Sequence, residues 1–518
     1  METGSSRKKN VVRNMFVGTS FQIISLILGF VNRTFFIRIL GAEYLGVNSL
    51  FTNILTILSF AELGIGNAIV YNLYKPIAQG NEKRINLLLK FYKNTYAIIG
   101  IVMLVIGLGL IPFIPSLISE TPNISENIYI IYVLFLLDTV VSYFFTYRTA
   151  IITADQKNYI VVRTVQTFKI VQIFVQIGLL YLTHNYYLYI VLQLLTTILT
   201  FSYLYFKSVK MYPFTRKMPK ESLPKKEKKS IFENVKALFV YKFGSVVLNG
   251  TDSIIISKYV GLVALGLYSN YYLIISALTQ VLSQVFNAFT ASIGNLLVRD
   301  DNKKSKEIFE YLFYFTVLVF CVCGICLYFL FNDFISLWLG KEYLLSNLVI
   351  FAIVLHFYIN GVQFASFTYR QTAGLFMQYR WAPVIGALAN IVLSIVLVKI
   401  IGLAGIFFAT SIARLITAGW IDPKIVYKHV LHSSVFSYFK KYFRYLITIG
   451  LVFIICYFIA RAIVVSTIFM FIIKGLILLI LSSLLFILFT STMKEYKDLK
   501  NIGKSFLKKK FVRWIYDK

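Results

Sequence analysis

A polar stripe runs through one of the apolar segments of the sequence, YKFGSVVLNGTDSIIISKYVG at residues 241–261. Lys242, Ser245, Asn249 and Asp252 follow one another at spacings of three, four and three residues, so they share one face of a helix. A charge that faced lipid would cost at least about 2.5–3.5 kcal/mol, so such a face is expected to line a cavity or a helix interface. The spacing therefore predicts a polar, ligand-binding surface between apolar helices.

Similar stripes occur in other apolar segments, and most of their charged members are basic. RTVQTFKIVQIFVQ places Arg163 and Lys169 on a helix with several glutamines. In the first apolar segment, Gln22, Ser25 and Asn32 share one helix face, with Arg33 beside them. Cations together with amides and hydroxyls suit an anionic, hydroxyl-rich ligand such as a sugar joined to a phosphate. The predicted substrate-binding residues are Arg33, Lys242, Asn249, Asp252, Arg163, Lys169, Gln22, Asn67 and Asn287.

Four further ionisable residues in apolar segments leave two interpretations open: Glu62, Asp138, Arg148 and His356. In the first, a carboxylate or imidazole binds H⁺ or Na⁺ and couples it to transport. In the second, Asp138 or Glu62 forms a structural ion pair with Arg33 or Arg148, and His356 is a hydrogen-bonded core residue. Arg163 and Arg370 lie near the ends of their segments, where their side chains can also snorkel to the membrane surface. We expect no cofactor apart from this H⁺ or Na⁺ coupling.

The composition identifies the elements that must position these residues. The 518-residue chain is 58% hydrophobic and only 14% charged, too apolar to cover the surface of a soluble domain. Apolar runs of about 20 residues recur along its length, each long enough to cross a bilayer as a helix. We predict an all-α polytopic membrane protein with about fourteen transmembrane helices. The predicted spans are 11–40, 44–71, 85–118, 127–152, 159–183, 185–207, 233–260, 262–297, 306–338, 343–370, 379–400, 403–421, 440–465 and 467–490.

The positions of the basic residues predict the orientation of these spans. Most of the 52 Lys and Arg residues fall in the tails and in the loops that follow even-numbered spans. The opposite loops are nearly bare of basic residues, and two of them, PSLISETPNISEN and LTHNYY, contain no Lys or Arg at all. By the positive-inside rule both termini are cytoplasmic. The net charge of +30 therefore reflects topology, and we expect no nucleic-acid partner.

An internal repeat divides the chain into two halves. When the sequence is aligned with itself so that Gly41 lies on Gly261, ILGAEYLGVNSL lies over YVGLVALGLYSN and Gly46 lies on Gly266. Because six spans separate the copies, both insert with the same orientation, which indicates a parallel repeat of two six-helix bundles. The predicted divisions are an N-terminal bundle (1–207), a basic cytoplasmic linker (208–232), a C-terminal bundle (233–421), two additional helices with a preceding basic loop (422–490), and a basic cytoplasmic tail (491–518).

Motifs for bond chemistry are missing from the sequence. It contains no G-x-x-x-x-G-K-[ST] loop, no H-E-x-x-H and no G-x-S-x-G. The three cysteines of CVCGIC lie in the middle of a span among apolar residues, which favours a packing role over a metal site. We therefore predict that the protein is not an enzyme.

Several phrases carry a resemblance to a known family: FFIRILGAEYLGVNSLFTNIL, AELGIGNAIVYNLYKPIAQGN and DSIIISKYVGLVALGLYSNYY. Together with the fourteen spans, they resemble the polysaccharide flippases of the multidrug/oligosaccharidyl-lipid/polysaccharide exporter superfamily. The resemblance implies a bacterial cytoplasmic-membrane protein that moves undecaprenyl-pyrophosphate-linked oligosaccharide by alternating access through a cationic central cavity. The cations lining that cavity in the family would correspond here to Arg33, Arg163, Lys169 and Lys242.

The resemblance also implies partners and leaves alternatives open. The expected partners are the lipid-linked substrate, membrane lipids that bind the basic tail, and the polysaccharide polymerase and glycosyltransferases of the same pathway. One alternative is a cation-coupled multidrug exporter of the same fold, for which a net acidic cavity is expected. The other is a lipid II-type flippase for a peptidoglycan precursor.

Overall fold

The computed structural model describes residues 4–59, 65–229, 231, 233, 250–297 and 302–501. Every long element in these ranges is an α-helix, in agreement with the predicted fold class. The helices are α1 (Gly4–Leu40), α2 (Ala42–Leu58), α3 (Ile65–Ala78), α4 (Glu82–Gly109), α5 (Ile128–Ala154), α6 (Asn158–Thr183), α7 (Tyr186–Met211), α8 (Leu262–Leu297), α9 (Asn302–Trp338), α10 (Asn347–Val362), α11 (Phe364–Thr372), α12 (Phe376–Tyr379), α13 (Ala382–Ile401), α14 (Leu403–Ile416), α15 (Ala418–His429), α16 (Phe436–Ala462) and α17 (Ile468–Thr490).

Twelve membrane-spanning helices are present among the described residues, by length and composition. They correspond to twelve of the fourteen predicted spans, with three spans each formed by a consecutive pair, α10–α11, α12–α13 and α14–α15. The other two predicted spans, 44–71 and 233–260, include residues outside the described ranges. The structure is therefore that of a multi-pass membrane protein.

Asparagine side chains fix where several of these helices begin. Asn81 accepts a hydrogen bond from the backbone N–H of Arg84 at the start of α4, and Asn127 and Asn185 cap α5 and α7 in the same way. Each cap satisfies an amide that the helix itself leaves unpaired, which is costly to leave unsatisfied near a membrane. The helix boundaries are therefore set locally, by the sequence.

The first of two compact units comprises Met1–Ser269. Within it α1 packs against α6, α5 packs against both α4 and α7, and α2 contacts the start of α8. The last contact is reciprocal, since a Cβ atom at Gly46 would overlap the carbonyl of Leu262, and one at Gly266 would overlap the carbonyl of Ala42. In the alignment of the two sequence copies, Gly46 lies on Gly266 and Ala42 lies on Leu262, so the two overlaps occur at equivalent positions. The repeat is therefore visible in the packing.

The turns before α2 and α8 repeat the same backbone conformation. Gly41 has φ 93° and its repeat partner Gly261 has φ 115°, both in the region that side chains with a Cβ rarely adopt. The two glycines therefore perform the same task in each copy, which is to end one helix and start the next without an intervening loop.

The basic segment that follows α7 lies against the first unit. The Lys90 ammonium of α4 donates to the carbonyls of Pro219 (2.8 Å) and Lys220 (2.7 Å), and the Asn86 amide donates to Phe214 O (2.8 Å). Arg84 forms an ion pair with Glu227. The described part of the predicted linker is therefore held in a defined position by α4.

The second unit comprises Asn270–Lys518 and is arranged around α9. This helix packs against α10, α11, α16 and α17, and α13 packs against α14. The two C-terminal helices are attached by ion pairs as well as by apolar contact. Lys474 of α17 binds Asp333 (2.8 Å), and Lys441 of α16 binds Glu310 (2.9 Å). The boundary between the units falls within α8, and the predicted domain boundaries remain predictions.

Candidate functional site

The guanidinium of Arg33 lies in the apolar span of α1 and has a hydroxyl as its partner. Its Nη1 donates to Ser269 Oγ at 2.8 Å, and that hydroxyl donates in turn to the carbonyl of Gly266 at 2.8 Å. The side chain is half-buried, and among the described residues it makes no ion pair with a carboxylate. A cation held in a span without a neutralising acid is available to bind an anion.

Hydrogen bonds join α1 to α6 and α7 into one polar layer in the first unit. The Ser25 hydroxyl donates to Gln166 Oε1 (2.6 Å), and the Asn32 amide donates to Tyr189 Oη (2.9 Å). The buried Gln176 amide donates to the backbone carbonyl of Tyr189 (2.9 Å). These bonds connect the stripes of α1 and α6, as expected if the two stripes face a common interior.

Arg163 and Lys169 extend the same stripe along α6. Both side chains are exposed, and neither forms an ion pair within the described part of the chain. Together with Arg33, they are three cations on membrane-spanning helices of the first unit, and none of the three has a carboxylate partner among the described residues. This combination of cations, amides and hydroxyls can bind an anionic, hydroxyl-bearing group through charge-assisted hydrogen bonds.

The other predicted binding residues are spread over several places. Gln22 is half-buried on α1, Asp252 is half-buried in the helical residues 250–259, and Asn287 is exposed on α8. Asn67 belongs to α3, but its side chain is not among those that the structure describes. Lys242, Asn249 and Glu62 also lie outside the described residues.

Asp138 and Arg148 do not pair with each other, and each has another partner. Asp138 Oδ2 accepts a hydrogen bond from the Gln193 amide at 2.7 Å. Arg148 is buried and donates to Thr215, to Oγ1 at 2.7 Å and to the carbonyl at 3.2 Å, with its guanidinium 4.8 Å from the ring of Tyr205. The structure therefore gives Arg148 the position of an anchor between α5 and the basic segment.

His356 lies half-buried in α10. Its Nδ1 is buried and has no hydrogen-bond partner among the described residues. No group of three or more His, Cys, Asp or Glu side chains comes together as a metal site in the described part of the chain. H⁺ or Na⁺ coupling at Glu62, Asp138 or His356 therefore remains a prediction.

Two hydrogen-bond partners of the α1 residues, Tyr189 and Ser269, were not predicted from the sequence. Tyr189 carries no charge and lies in a segment rich in tyrosine, so a search for charged and amide stripes passes over it. Ser269 could have been found, because the alignment of the two copies places it on Ser49, inside the repeated phrase.

A family model described as polysaccharide biosynthesis protein matches residues 11–293, more than half of the chain. The chain belongs to the polysaccharide biosynthesis protein family. The matched region contains the three cations and the residues of the reciprocal glycine contact. No curated protein sequence matches the chain significantly.

Solved structures of transporters share the fold of this family member. A structure described as lipid II flippase MurJ in an inward closed conformation matches with a TM-score of 0.63 and 18% identity, over 93% of this chain and 99% of the other. An inward-facing multidrug resistance MATE family transporter of the MOP superfamily matches with a TM-score of 0.60 and 12% identity, over 79% and 98% of the two chains. An outward-facing MATE family transporter matches with a TM-score of 0.52 and 13% identity, over 80% and 94%. At these identities the likeness establishes a transporter or flippase fold.

Proposed function

We propose that this chain moves an undecaprenyl-pyrophosphate-linked oligosaccharide from the inner to the outer leaflet of the bacterial cytoplasmic membrane. The glycan is of the capsule, exopolysaccharide, O-antigen or teichoic acid type. The observation that carries the proposal is that three cations on the predicted polar faces, Arg33, Arg163 and Lys169, have no carboxylate partner among the described residues, in a member of the polysaccharide biosynthesis family.

Each part of the polar layer has a role in this mechanism. The cations pair with the diphosphate, and amides and hydroxyls such as those of Asn32 and Tyr189 exchange hydrogen bonds with the sugars. The polyprenyl chain stays in the lipid. Because the headgroup moves along a polar surface, it avoids the large cost of transferring charge and hydroxyls into hydrocarbon. A conformational change then opens the site to the outer side.

The remaining parts of the proposal concern energy, orientation and partners. Transport uses no organic cofactor and no bond chemistry of its own, and H⁺ or Na⁺ binding at an intramembrane carboxylate or imidazole supplies the driving force. Both termini face the cytoplasm, where the basic tail contacts anionic lipids. The polymerase and glycosyltransferases of the same glycan pathway consume and supply the substrate.

Substitution of Arg33 tests the proposal. Arg33→Ala removes a charge-assisted hydrogen-bond donor worth about 1.5–3 kcal/mol, so transport is expected to fall roughly 10- to 100-fold. The measurement is accumulation of lipid-linked repeat units in cells, normalised to the amount of protein in the membrane. Arg38→Ala is the matched control, because Arg38 is exposed in the last turn of the same helix. Undiminished transport by Arg33→Ala would remove Arg33 from the binding site.

The similarity to MurJ favours lipid II as a second candidate substrate, because it spans nearly the whole of both chains. The two candidates are separated by complementation. A lipid II flippase restores growth to cells depleted of their own lipid II flippase, whereas an oligosaccharide flippase restores surface glycan only. Export of cationic drugs is less well supported, since the charged residues described in the polar layer are mostly basic. Increased drug sensitivity with intact surface glycan after deletion would favour drug export.

A further inference from the structure

A pocket of about 330 Å³ lies within the second unit, outside the polar layer. The end of α8, the start of α9, the end of α11 and the end of α15 line it. All four helix ends belong to connections that the predicted topology places in the cytoplasm. The pocket is therefore expected to be open to the cytoplasm and to its soluble anions and headgroups.

The lining of the pocket contains a buried hydroxyl without a partner. Ser305 is 3% exposed, it is one of the lining residues, and its Oγ has no hydrogen-bond partner among the described residues. Leaving a buried hydroxyl unpaired costs about 1–3 kcal/mol. A ligand that offers an oxygen acceptor in the pocket would remove that cost.

Ser305 belongs to the first turns of α9, a helix of 37 residues. The backbone N–H groups of a first turn have no partners within the helix, and the helix dipole makes this end positive. Asn302, the first residue of α9, also lines the pocket. The pocket therefore lies at a helix end that favours an anion.

The first turns of α9 carry lysines in place of the acids that usually stabilise a helix N-terminus. No acidic residue lies in the described first turn, and the early residues of α9 include Lys303, Lys304 and Lys306. The two aspartates that precede the helix, at positions 300 and 301, lie outside the described residues. The first two acids along α9 form ion pairs elsewhere, Glu307 with Lys494 (3.6 Å) and Glu310 with Lys441 (2.9 Å). A bound anion would be stabilised by the helix dipole, which no acid in the described first turn compensates.

Two imidazoles complete the lining. His429 ends α15, and His432 follows in the turn, with φ 44°. Both side chains are exposed, and no acidic residue is among the described residues that line the pocket. Imidazole N–H groups and a serine hydroxyl are suitable donors to phosphate oxygens.

We propose that this pocket binds a phosphate-bearing ligand, held by the first-turn amides of α9, the Ser305 hydroxyl and the imidazoles of His429 and His432. The volume is roughly ten times the ~30 Å³ share of one water molecule, so the pocket accommodates a diphosphate or a phosphate with a substituent. The ligand is either a soluble phosphate compound or a phospholipid headgroup. The proposal does not depend on which substrate the protein transports.

The test is a calorimetric titration of the purified full-length protein with pyrophosphate at constant ionic strength. Saturable binding is expected, and the double variant His429→Ala/His432→Ala is expected to weaken it at least roughly tenfold, because the two imidazole donors to the phosphate are lost. Ser305→Val tests the buried hydroxyl and should weaken binding as well. The histidine variants alter exposed side chains, so their folding is not at risk even if Ser305→Val fails to fold.

His184→Ala is the matched control. His184 is also exposed and also has a left-handed backbone conformation, with φ 51°, but it ends α6 in the first unit. A pyrophosphate affinity that is unchanged by His184→Ala and reduced by the double variant supports the pocket. An equal loss of pyrophosphate affinity in the His184 control and the double variant would overturn the proposal. A double variant that binds pyrophosphate as tightly as the wild type would overturn it as well.

A second arm identifies the source of the phosphate. The protein is placed in nanodiscs of phosphatidylcholine alone or of phosphatidylcholine mixed with phosphatidylglycerol. If phosphatidylglycerol displaces pyrophosphate in the wild type, the ligand is a headgroup, and if it does not, the ligand is a soluble phosphate compound. The absence of saturable pyrophosphate binding in detergent, and of any histidine-dependent phosphatidylglycerol binding in nanodiscs, would reject the site.

Discussion

At the scale of single residues, the structure distinguishes cations that stabilise the fold from cations available to a ligand. Arg370 is completely buried, and its Nε donates to Asp422 Oδ1 at 2.5 Å while its guanidinium lies 3.8 Å from the ring centre of Tyr379. The interpretation that Arg370 snorkels to the surface is therefore wrong. Its charge is neutralised inside the protein, whereas Arg33 has only a hydroxyl partner among the described residues.

Breaking the Arg370–Asp422 pair should strongly destabilise the second unit. Asp422→Asn leaves a buried guanidinium without its counter-charge, and the expected loss in the free energy of unfolding is about 3–5 kcal/mol. Thermal unfolding of the purified protein in detergent measures this loss as a lowered Tm. The matched control is Glu221→Gln, which breaks the Lys83–Glu221 pair, whose side chains are 71% and 65% exposed.

The control is expected to change stability by at most about 1 kcal/mol, because solvent screens an exposed pair. Replacement of both buried partners, in Arg370→Met/Asp422→Leu, should recover much of the loss, since no uncompensated charge remains. A Tm for Asp422→Asn equal to that of the control would show that the buried pair does not support the fold.

At the scale of elements, the glycines of the repeat determine how closely α2 and α8 approach each other. Gly46 and Gly266 each lie against a carbonyl of the other helix, at a separation that leaves no room for a methyl group. Because backbone meets backbone, no side chain can move aside to relieve the overlap. The sequence phrase LG, which occurs at the same position in both copies of the repeat, is therefore a packing motif.

Gly46→Ala should destabilise the first unit by about 1–3 kcal/mol, because the new methyl group forces α2 away from α8. Unfolding of the purified variant and the rate of repeat-unit transport are the two measurements, and both stability and rate should decrease. Gly29→Ala is the matched control, since a Cβ at Gly29 in α1 meets no atom of the described residues within 4 Å. If the two alanine variants are equally stable, the close contact between α2 and α8 is not needed for the fold.

At the scale of the whole molecule, the orientation in the membrane is a prediction that cysteine labelling can test. Thr121 and Lys225 are exposed, and three described spans, α5, α6 and α7, separate them. The four native cysteines are buried or half-buried within α9 and α16, so they should contribute little background.

In intact cells, a membrane-impermeant maleimide should label Thr121→Cys and should label Lys225→Cys only after the membrane is opened. The reason is the concentration of basic residues in the segment that contains Lys225, which the positive-inside rule retains in the cytoplasm. The reverse pattern would place both termini outside. Equal labelling of both variants in intact cells would contradict the odd number of spans between them.

The sequence by itself determined the class, the twelve described spans and the repeat. Each span is a local run of apolar residues, and some, as at Asn81 and Asn127, begin with a local side-chain cap, so their existence depends on no distant residue. The helical spacing of Ser25, Asn32 and Arg33 also predicted a polar face on α1, and the described hydrogen bonds of these residues confirm that they have partners on other helices.

Only the tertiary structure decided which partners those residues have. Arg33 and Ser269 are 236 residues apart, and Asn32 and Tyr189 are 157 residues apart, so no local pattern links them. The same holds for Arg370, whose burial depends on how α15 packs against α11. Hydrophobicity and helix spacing are properties of one segment, whereas the environment of a charge is a property of the helices that surround it, and only folding brings those helices together.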